Sequence, residues 1–524
     1  QALELYPGRA EEALNKIDRV ADKVLKAMIK NKITPAMMSD FMYAQHAVER
    51  NKAMAKINDG TPNLSGMTDA EAVKILKDFE TAGMTRTLTK IFKVLQAERN
   101  HLNQELVANG VRPENTQESY DETYEYYVPL KGTADPLKSS EGGKRSKGVQ
   151  SKDTSKAAMG RKSKAQDDIL ATYLSDMAAD AVQIEKAKVG KTVLEMVENN
   201  PNDAFWEINP KRTTKVRNKS TGDVEEVSNP YREGEPNVFS VQVEGQSKRI
   251  VFNTVEGQRL AMALNGMDQE GTNKALEILG KWNRYLGSVL TSYNPPFVIS
   301  NAFRDAQTAL YNIGVEQSMK MAKKTGKGVV PALKSIYRKS RGKEAGVWGE
   351  YWQEMLEAGG KTGFAAVPNT EKKLQEFQSK YDMSTAEWTK QPGTKLKKIA
   401  IDFLDLVEDM NSSVENAVRL AYYRALRDGG FSKEIAASEA KNLTVNFNRK
   451  GQYGGDINKM FLFFNAAVQG SDRIYQSYKK NPKKFKALAA MLTSVGFALG
   501  AYNQLMGGDD EESGVSYWEK VPDY

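Results

Sequence analysis

Apolar residues recur at helical spacing along most of the chain. Ala13, Ile17, Val20, Val24, Leu25 and Met28 form one stripe in the opening segment, since steps of three and four residues return to the same helix face. Pro35 stands at a first helical position, and the helix it opens carries Tyr43 to Asn51. Thr68–Thr81 and Met84–Val107 extend this N-terminal helical region, which closes at about residue 132. An amphipathic helix is predicted over Asp167–Asn199, within a segment at 167–202. From about 203 to 254 the pattern changes to alternation with β-branched residues, and Val238–Asn253 predicts a hairpin around Glu244-Gly245. Ala204–Asn209 and Lys215–Val227 supply another strand pair. Residues 255–391 are helical again. Lys274–Leu290 is amphipathic and Asn294-Pro295-Pro296 breaks the path. A new helix follows, lined by Phe297, Ile299, Phe303 and Leu310, with Arg304 and Asp305 near its start.

Residues 392–470 hold the longest periodic run. Ile399, Phe403, Leu406, Met410, Val414, Ala417 and Ala421 place one apolar face on a helix from about Lys395 to Arg427, roughly 50 Å at 1.5 Å per residue. Gly429 and Gly430 stop it. Ser432 caps the next helix, and an aromatic helix start follows at Met460–Gly470. The whole pattern predicts a mainly α protein, an elongated multi-helix bundle with a small β-hairpin insertion at about 203–254. Within it, residues 392–470 act as the central strut.

Composition narrows the chemistry. The 524 residues are 40% hydrophobic and 27% charged, with a formal net charge of +8, a soluble balance for two to four domains. Cysteine is absent, which excludes disulfides and thiolate metal sites. His46 and His101 are the only imidazoles. The chain opens without methionine, shows no secretory signal and ends abruptly at Ser516–Tyr524, so a fragment of a longer polypeptide is expected. There is no P-loop, no GxGxxG after a strand, no HExxH, no GxSxG and no kinase signature set. Asp402, Asp405, Glu408 and Asp409 read as a solvated helix face rather than a two-metal site. No catalytic, cofactor or metal residue is assigned, and the fragment is expected not to be an enzyme.

Four features are left as candidates. His46, Glu49 and Arg50 lie within about one helical turn of one another and read as a small polar site or, more simply, as a histidine satisfied by a neighbouring helix. The tyrosine-rich stretch Tyr120–Gly132 predicts an extended segment laid over the bundle. Lys138–Lys164, inside a linker at 133–166, holds nine basic residues against Glu141 and Asp153 and almost nothing apolar. It cannot offset its ordering entropy alone and reads as a flexible solvated linker. The other reading is a basic arm on phosphates, with Lys144, Arg145, Lys147, Lys152, Lys156, Arg161, Lys162 and Lys164 as candidate contacts. Residues 471–524 hold the one membrane-span candidate, Phe485–Met506, with Lys479, Lys480, Lys483, Lys484 and Lys486 at its start and Asp509–Glu512 beyond its end. Phe485, Leu488, Met491, Leu492, Val495, Phe497 and Leu499 are its candidate membrane contacts. A helix buried in the protein is the competing reading.

Five segments carry a resemblance: Tyr43–Asn51, Tyr124–Leu130, Asn294–Gly314, Val414–Gly451 and Phe461–Gly470. In order and spacing they resemble the large polyvalent protein-associated domains of phage and prophage polyproteins. Similar segments look like parts of internal virion proteins of short-tailed phages. That resemblance implies a packaged protein, inside the virion before infection and in the host envelope (periplasm or inner membrane) after ejection. It would work as a homo-oligomer with other ejection proteins, in non-specific contact with viral double-stranded DNA and with the host membrane. It also leaves open a helical platform for a large phage nucleic-acid enzyme, or a capsid-interior component that is not ejected.

Overall fold

A computed structural model describes residues 1–116, 122–130, 148–151, 160, 169–217, 224–266, 295–361, 377, 413–444, 464–506 and 508. The described elements are mainly helical with a small antiparallel β component, as the pattern predicts. The chain divides into two compact units. The first comprises Gln1–Asn273, Leu356–Gly359 and Pro368–Ala400; the second comprises Lys274–Met355, Gly360–Val367 and Ile401–Tyr524.

The first unit opens with α1 (Ala2–Lys30), α2 (Pro35–Ile57), α3 (Asp69–Thr81) and α4 (Thr85–Ala108). Their starts follow from local chemistry. Thr34 accepts from the Met37 amide ahead of Pro35, and Thr68 with Glu71 forms a complete capping box. The buried stripe of α1 is Leu14, Ile17, Ala21, Val24 and Met28; Ala13, Val20 and Leu25 flank it, half-buried. The organiser of this unit is α5 (Ile169–Asn199), which packs against α1, α2 and α4. From Ile169 to Gly190 it is buried on every side rather than on one face, down to Asp180, Glu185 and Lys186, whereas its last turns bury only Leu194 and Val197. Small residues permit that enclosure: a Cβ on Gly190 would lie 3.3 Å from Val241 of the adjoining strand.

The β region is larger than one hairpin. Strands β1 (Trp206–Ile208), β4 (Val238–Val243) and β5 (Gln246–Phe252) form a sheet in the order β1-β5-β4. Strands β2 (Thr213–Arg217) and β3 (Val224–Ser228) make a separate hairpin. The two segments expected to pair, Ala204–Asn209 and Lys215–Val227, therefore do not join each other. Trp206 pairs with Phe252 instead, where its ring meets an aromatic neighbour edge-on. The β4–β5 turn is Glu244-Gly245, both with positive φ, as a two-residue hairpin of the primed type requires. Helix α6 (Val255–Asn265) starts on the Thr254 cap and ends at left-handed Gly266.

Residues 148–151 correct the expected flexible linker at 133–166. Val149 is buried in the core formed by α5, the sheet and α6, and its amide donates to the Leu264 carbonyl at 2.7 Å. Gly148 makes this docking feasible, because a Cβ there would collide with the Leu264 carbonyl. All eight candidate phosphate contacts, Lys144, Arg145, Lys147, Lys152, Lys156, Arg161, Lys162 and Lys164, lie outside the described residues.

The second unit contains α7 (Pro295–Glu316), α8 (Met319–Ser340) and most of α9 (Gly346–Glu357). It also holds α10 (413–427), α11 (Lys433–Lys441), α12 (Phe464–Lys480) and α13 (Pro482–Met506). Helix α7 begins at the prolines, so Arg304 and Asp305 sit well inside it rather than at its start. The expected helix at Lys274–Leu290 and the expected strut before residue 413 lie outside the described residues. What is described of the strut differs from a one-faced rod. Alongside Ala417 and Ala421, the residues Val418, Leu420, Tyr422, Tyr423, Ala425 and Leu426 are buried, so α10 is enclosed all round. Its fully buried Arg419 donates to Thr444 Oγ1 (2.6 Å) and to the Glu415 carbonyl (2.8 Å), with the Glu415 carboxylate 3.6 Å away, which offsets part of the cost of burying the charge. Gly328 of α8 lies where a Cβ would come within 2.8 Å of the Trp348 ring and 3.1 Å of Ala421, which explains the glycine. Left-handed Gly430 and the Ser432 cap close α10 and open α11 as expected.

Candidate functional site

The first unit has a buried polar centre between α2, α4 and α5. The strap 122–130 crosses it where the tyrosine run predicts a covering segment, though its first two residues are helical and it bends at 125–126 instead of running extended throughout. Glu49 on α2 fixes the strap: its two carboxylate oxygens accept from the Glu125 amide at 3.1 Å and the Tyr126 amide at 3.0 Å. Gln96 on α4 donates to the Glu125 carbonyl at 2.8 Å, and Val128 is buried beneath. His46 is 0% exposed, with its ring 4.9 Å from the Tyr124 ring and 5.6 Å from that of Tyr127. The partner of the histidine is therefore this aromatic strap, not a neighbouring helix. Burial, and then the charge of Arg50, push its pKa down to about 3, although the Tyr126 backbone opposes the drop. His46 is thus a neutral packing ring, while Glu49 is the residue of that trio with a defined task. His101 is exposed.

Beside the strap, Arg99 and Arg112 converge on Asp180 of α5 at 2.9 and 3.5 Å. Arg112 also donates to Asn103. Burial disfavours the Arg99 charge, yet Asp180 and Asp176 outweigh it and hold its pKa above the usual value. A cleft of about 30 Å³ opens between Arg99, Asn103, Tyr124 and Tyr127, a size suited to a water molecule and not to a metabolite. Among the described residues no group of three or more His, Asp or Glu is placed to hold a metal ion.

The second unit presents α13. Pro482–Leu505 is long and apolar enough to cross a bilayer, with mean hydropathy of 1.4 and none of its apolar window buried. Phe497 is 76% exposed and Met491 61%, and Leu492, Val495 and Leu499 are exposed too. The reading as a helix buried within this chain is therefore corrected. Phe485 and Leu488 are corrected in the other direction. The Phe485 ring meets those of Tyr311 and Tyr478 edge-on at 5.5 and 5.6 Å, and its carbonyl accepts from the Tyr311 hydroxyl at 2.8 Å. Leu488, half-buried, lies close to Gly314. Both belong to the docked base of α13, and the free apolar length starts after them. Gly496 and Gly500, a GxxxG pair, have open space around their Cα atoms.

A polar clamp holds the preceding helix. Glu316 of α7 receives Arg473 at 2.9 Å, Lys480 at 2.7 Å and the Ser477 hydroxyl at 2.9 Å. Burial would raise the Glu316 pKa, but Lys480, Arg473 and Ser477 together bring it below the usual value, so it stays anionic and anchors α12. Lys483, Lys484 and Lys486 are exposed around the α12–α13 corner.

Helix α8 is the feature that the hydrophobic pattern hides. Between Met319 and Lys343 there are nine Lys or Arg residues and no Asp or Glu. Its buried side is made of Ala322, Thr325, Gly328, Ala332, Ser335 and Ile336, too small and polar to register as an apolar stripe. The charge run itself was the signal available in the sequence.

Comparison of the chain with protein-family models, with curated proteins and with solved structures finds no match.

Proposed function

We propose that this chain is a non-catalytic internal virion protein of a bacteriophage. It is ejected with the genome and oligomerises to help form a conduit for viral DNA across the host envelope. The observation that carries the reading is α13, a 25-residue helix with an exposed apolar surface. Such a surface in water is unfavourable by roughly 25 cal/mol per Å² and calls for an apolar environment. Lysines at its entry and an acidic stretch, Asp509–Glu512, past its end match a helix whose basic side stays with the cytoplasmic leaflet. The segments that resemble phage polyprotein domains supply the setting. The Tyr311 contact fixes the base of α13, and the Glu316 clamp holds α12 just before it.

Imaging of particles before and after genome release, with this chain tagged, tests the reading. The tag should lie inside the filled capsid and in the host envelope after release. A tag retained in the empty capsid would leave a structural role. A chain found with a replication enzyme and never in particles would assign it to the platform class.

A further inference from the structure

Helix α8 places its charge in one line. At 100° per residue, Lys320, Lys323, Lys324, Lys327, Lys334 and Arg338 fall within an arc of about 100° and over a length of about 27 Å. The arc lies opposite the buried side, and all six side chains are exposed. Lys324 reaches Asp428 at 3.0 Å and Arg338 donates to the Glu344 carbonyl. Lys320, Lys323, Lys327 and Lys334 have no ion pair among the described residues. A row of unneutralised cations at this spacing repels itself, which a folded protein tolerates when a polyanion supplies the counter-charge.

We infer that this face of α8 binds the phosphate backbone of duplex DNA without reading its sequence. A row of charges along one helix face matches a linear polyanion, which carries a phosphate about every 3.4 Å on each strand. Membrane binding by a surface helix needs a continuous free apolar face; the buried side of α8 packs against Trp348 and Ala421 at Gly328, and the large apolar side chains left exposed are Met319, Val330 and Tyr337, spread over about five turns. Single-stranded nucleic acid needs a series of stacking rings; here Tyr337 is the one exposed aromatic on α8. The inference places the DNA contact on a folded helix rather than on residues 138–164, and it does not require α13 to meet lipid.

Anisotropy of a labelled 30-base-pair duplex, titrated with salt against the full chain, tests this. The variant K320Q/K323Q/K327Q/K334Q should weaken binding about tenfold or more at low salt and flatten the log–log salt slope by about 3 to 4, at roughly 0.9 per phosphate contact. The control K23Q/K26Q/K30Q/K32Q, on exposed lysines in and after α1, changes the net charge equally and should leave both nearly unaltered. Circular dichroism of both variants reports that they fold. Equal losses in the two variants, or none in the first, would overturn the inference. Loss of binding to phosphatidylglycerol vesicles on the α8 variant, with duplex binding unchanged, would overturn it in favour of a membrane surface. Retained vesicle binding with lost duplex binding supports it, and leaves the reading of α13 to be judged separately.

Discussion

Replacing Asp180 by alanine is expected to destabilise the first unit by about 3–5 kcal/mol, because it removes the buried carboxylate on which two buried guanidinium groups converge. Arg112 and Asp180 are each about 1% exposed in their side chains, and Arg99 7%, so water cannot replace the lost carboxylate. Asp180→Asn should cost nearly as much, since it keeps the shape and removes the charge. Removing all three charges at once, as R99M/R112M/D180L, should recover most of the loss, because a well-packed apolar replacement of a buried ionic cluster is often neutral. Native-state hydrogen exchange of the α5 amides measures this locally, which matters in a chain of two units where a single unfolding midpoint is ill-defined. A loss below about 1 kcal/mol for Asp180→Ala, in the range of exposed ion pairs, would mean that solvent reaches the cluster.

Acid should act on the same unit through His46. The ring titrates at the ordinary value of 6.5 when unfolded and at about 3 when folded. Between those values the unfolded state binds more protons, so this contribution is complete above pH 6.5 and is lost as pH falls towards 3. At about 1.4 kcal/mol per unit, the loss from neutral pH to about pH 4.5 is roughly 2–3 kcal/mol. Glu49 works against it weakly, since burial raises its pKa and protonation there favours the fold. The comparison is therefore with His46→Gln, which keeps Glu49 and removes the imidazole. Urea unfolding across that pH range should show a flatter acid limb for the variant. Superimposable limbs would show that His46 becomes protonated in the folded chain.

Both effects arise where the sequence was hard to read. The helices α1 to α4 follow from period, caps and proline, and the β4–β5 hairpin follows from Glu244-Gly245, because these are local signals. The partner of His46 lies about 80 residues away in the strap, and no local pattern specifies that Tyr124 and Tyr127 cover it. Helix α5 reads as an amphipathic helix, but Ile169–Gly190 is buried all round, and a one-faced pattern does not announce it as the organiser. Residues 148–151 are docked by one valine and one glycine, too little to stand out in a basic, low-complexity run. In α8 the buried side is made of small residues, and the helix is better recognised by its charge. For α13, apolarity alone could not separate a buried helix from an exposed one, because both need the same composition. The fold around Tyr311 and Glu316 separates them, by docking Phe485 and leaving the surface beyond it open.

The central claim is that this open part of α13 enters a bilayer, and the absence of cysteine makes it directly measurable. Single cysteines at Lys483, Leu492, Val495 and Leu499, each labelled with an environment-sensitive fluorophore, report depth on addition of vesicles containing phosphatidylglycerol. The account predicts blue-shifted emission and protection from an aqueous quencher at 492, 495 and 499, with the label at 483 still accessible. Labels at all four positions that stay accessible with vesicles present, or that become shielded without them as the protein concentration rises, would contradict it and assign the surface of α13 to a protein partner.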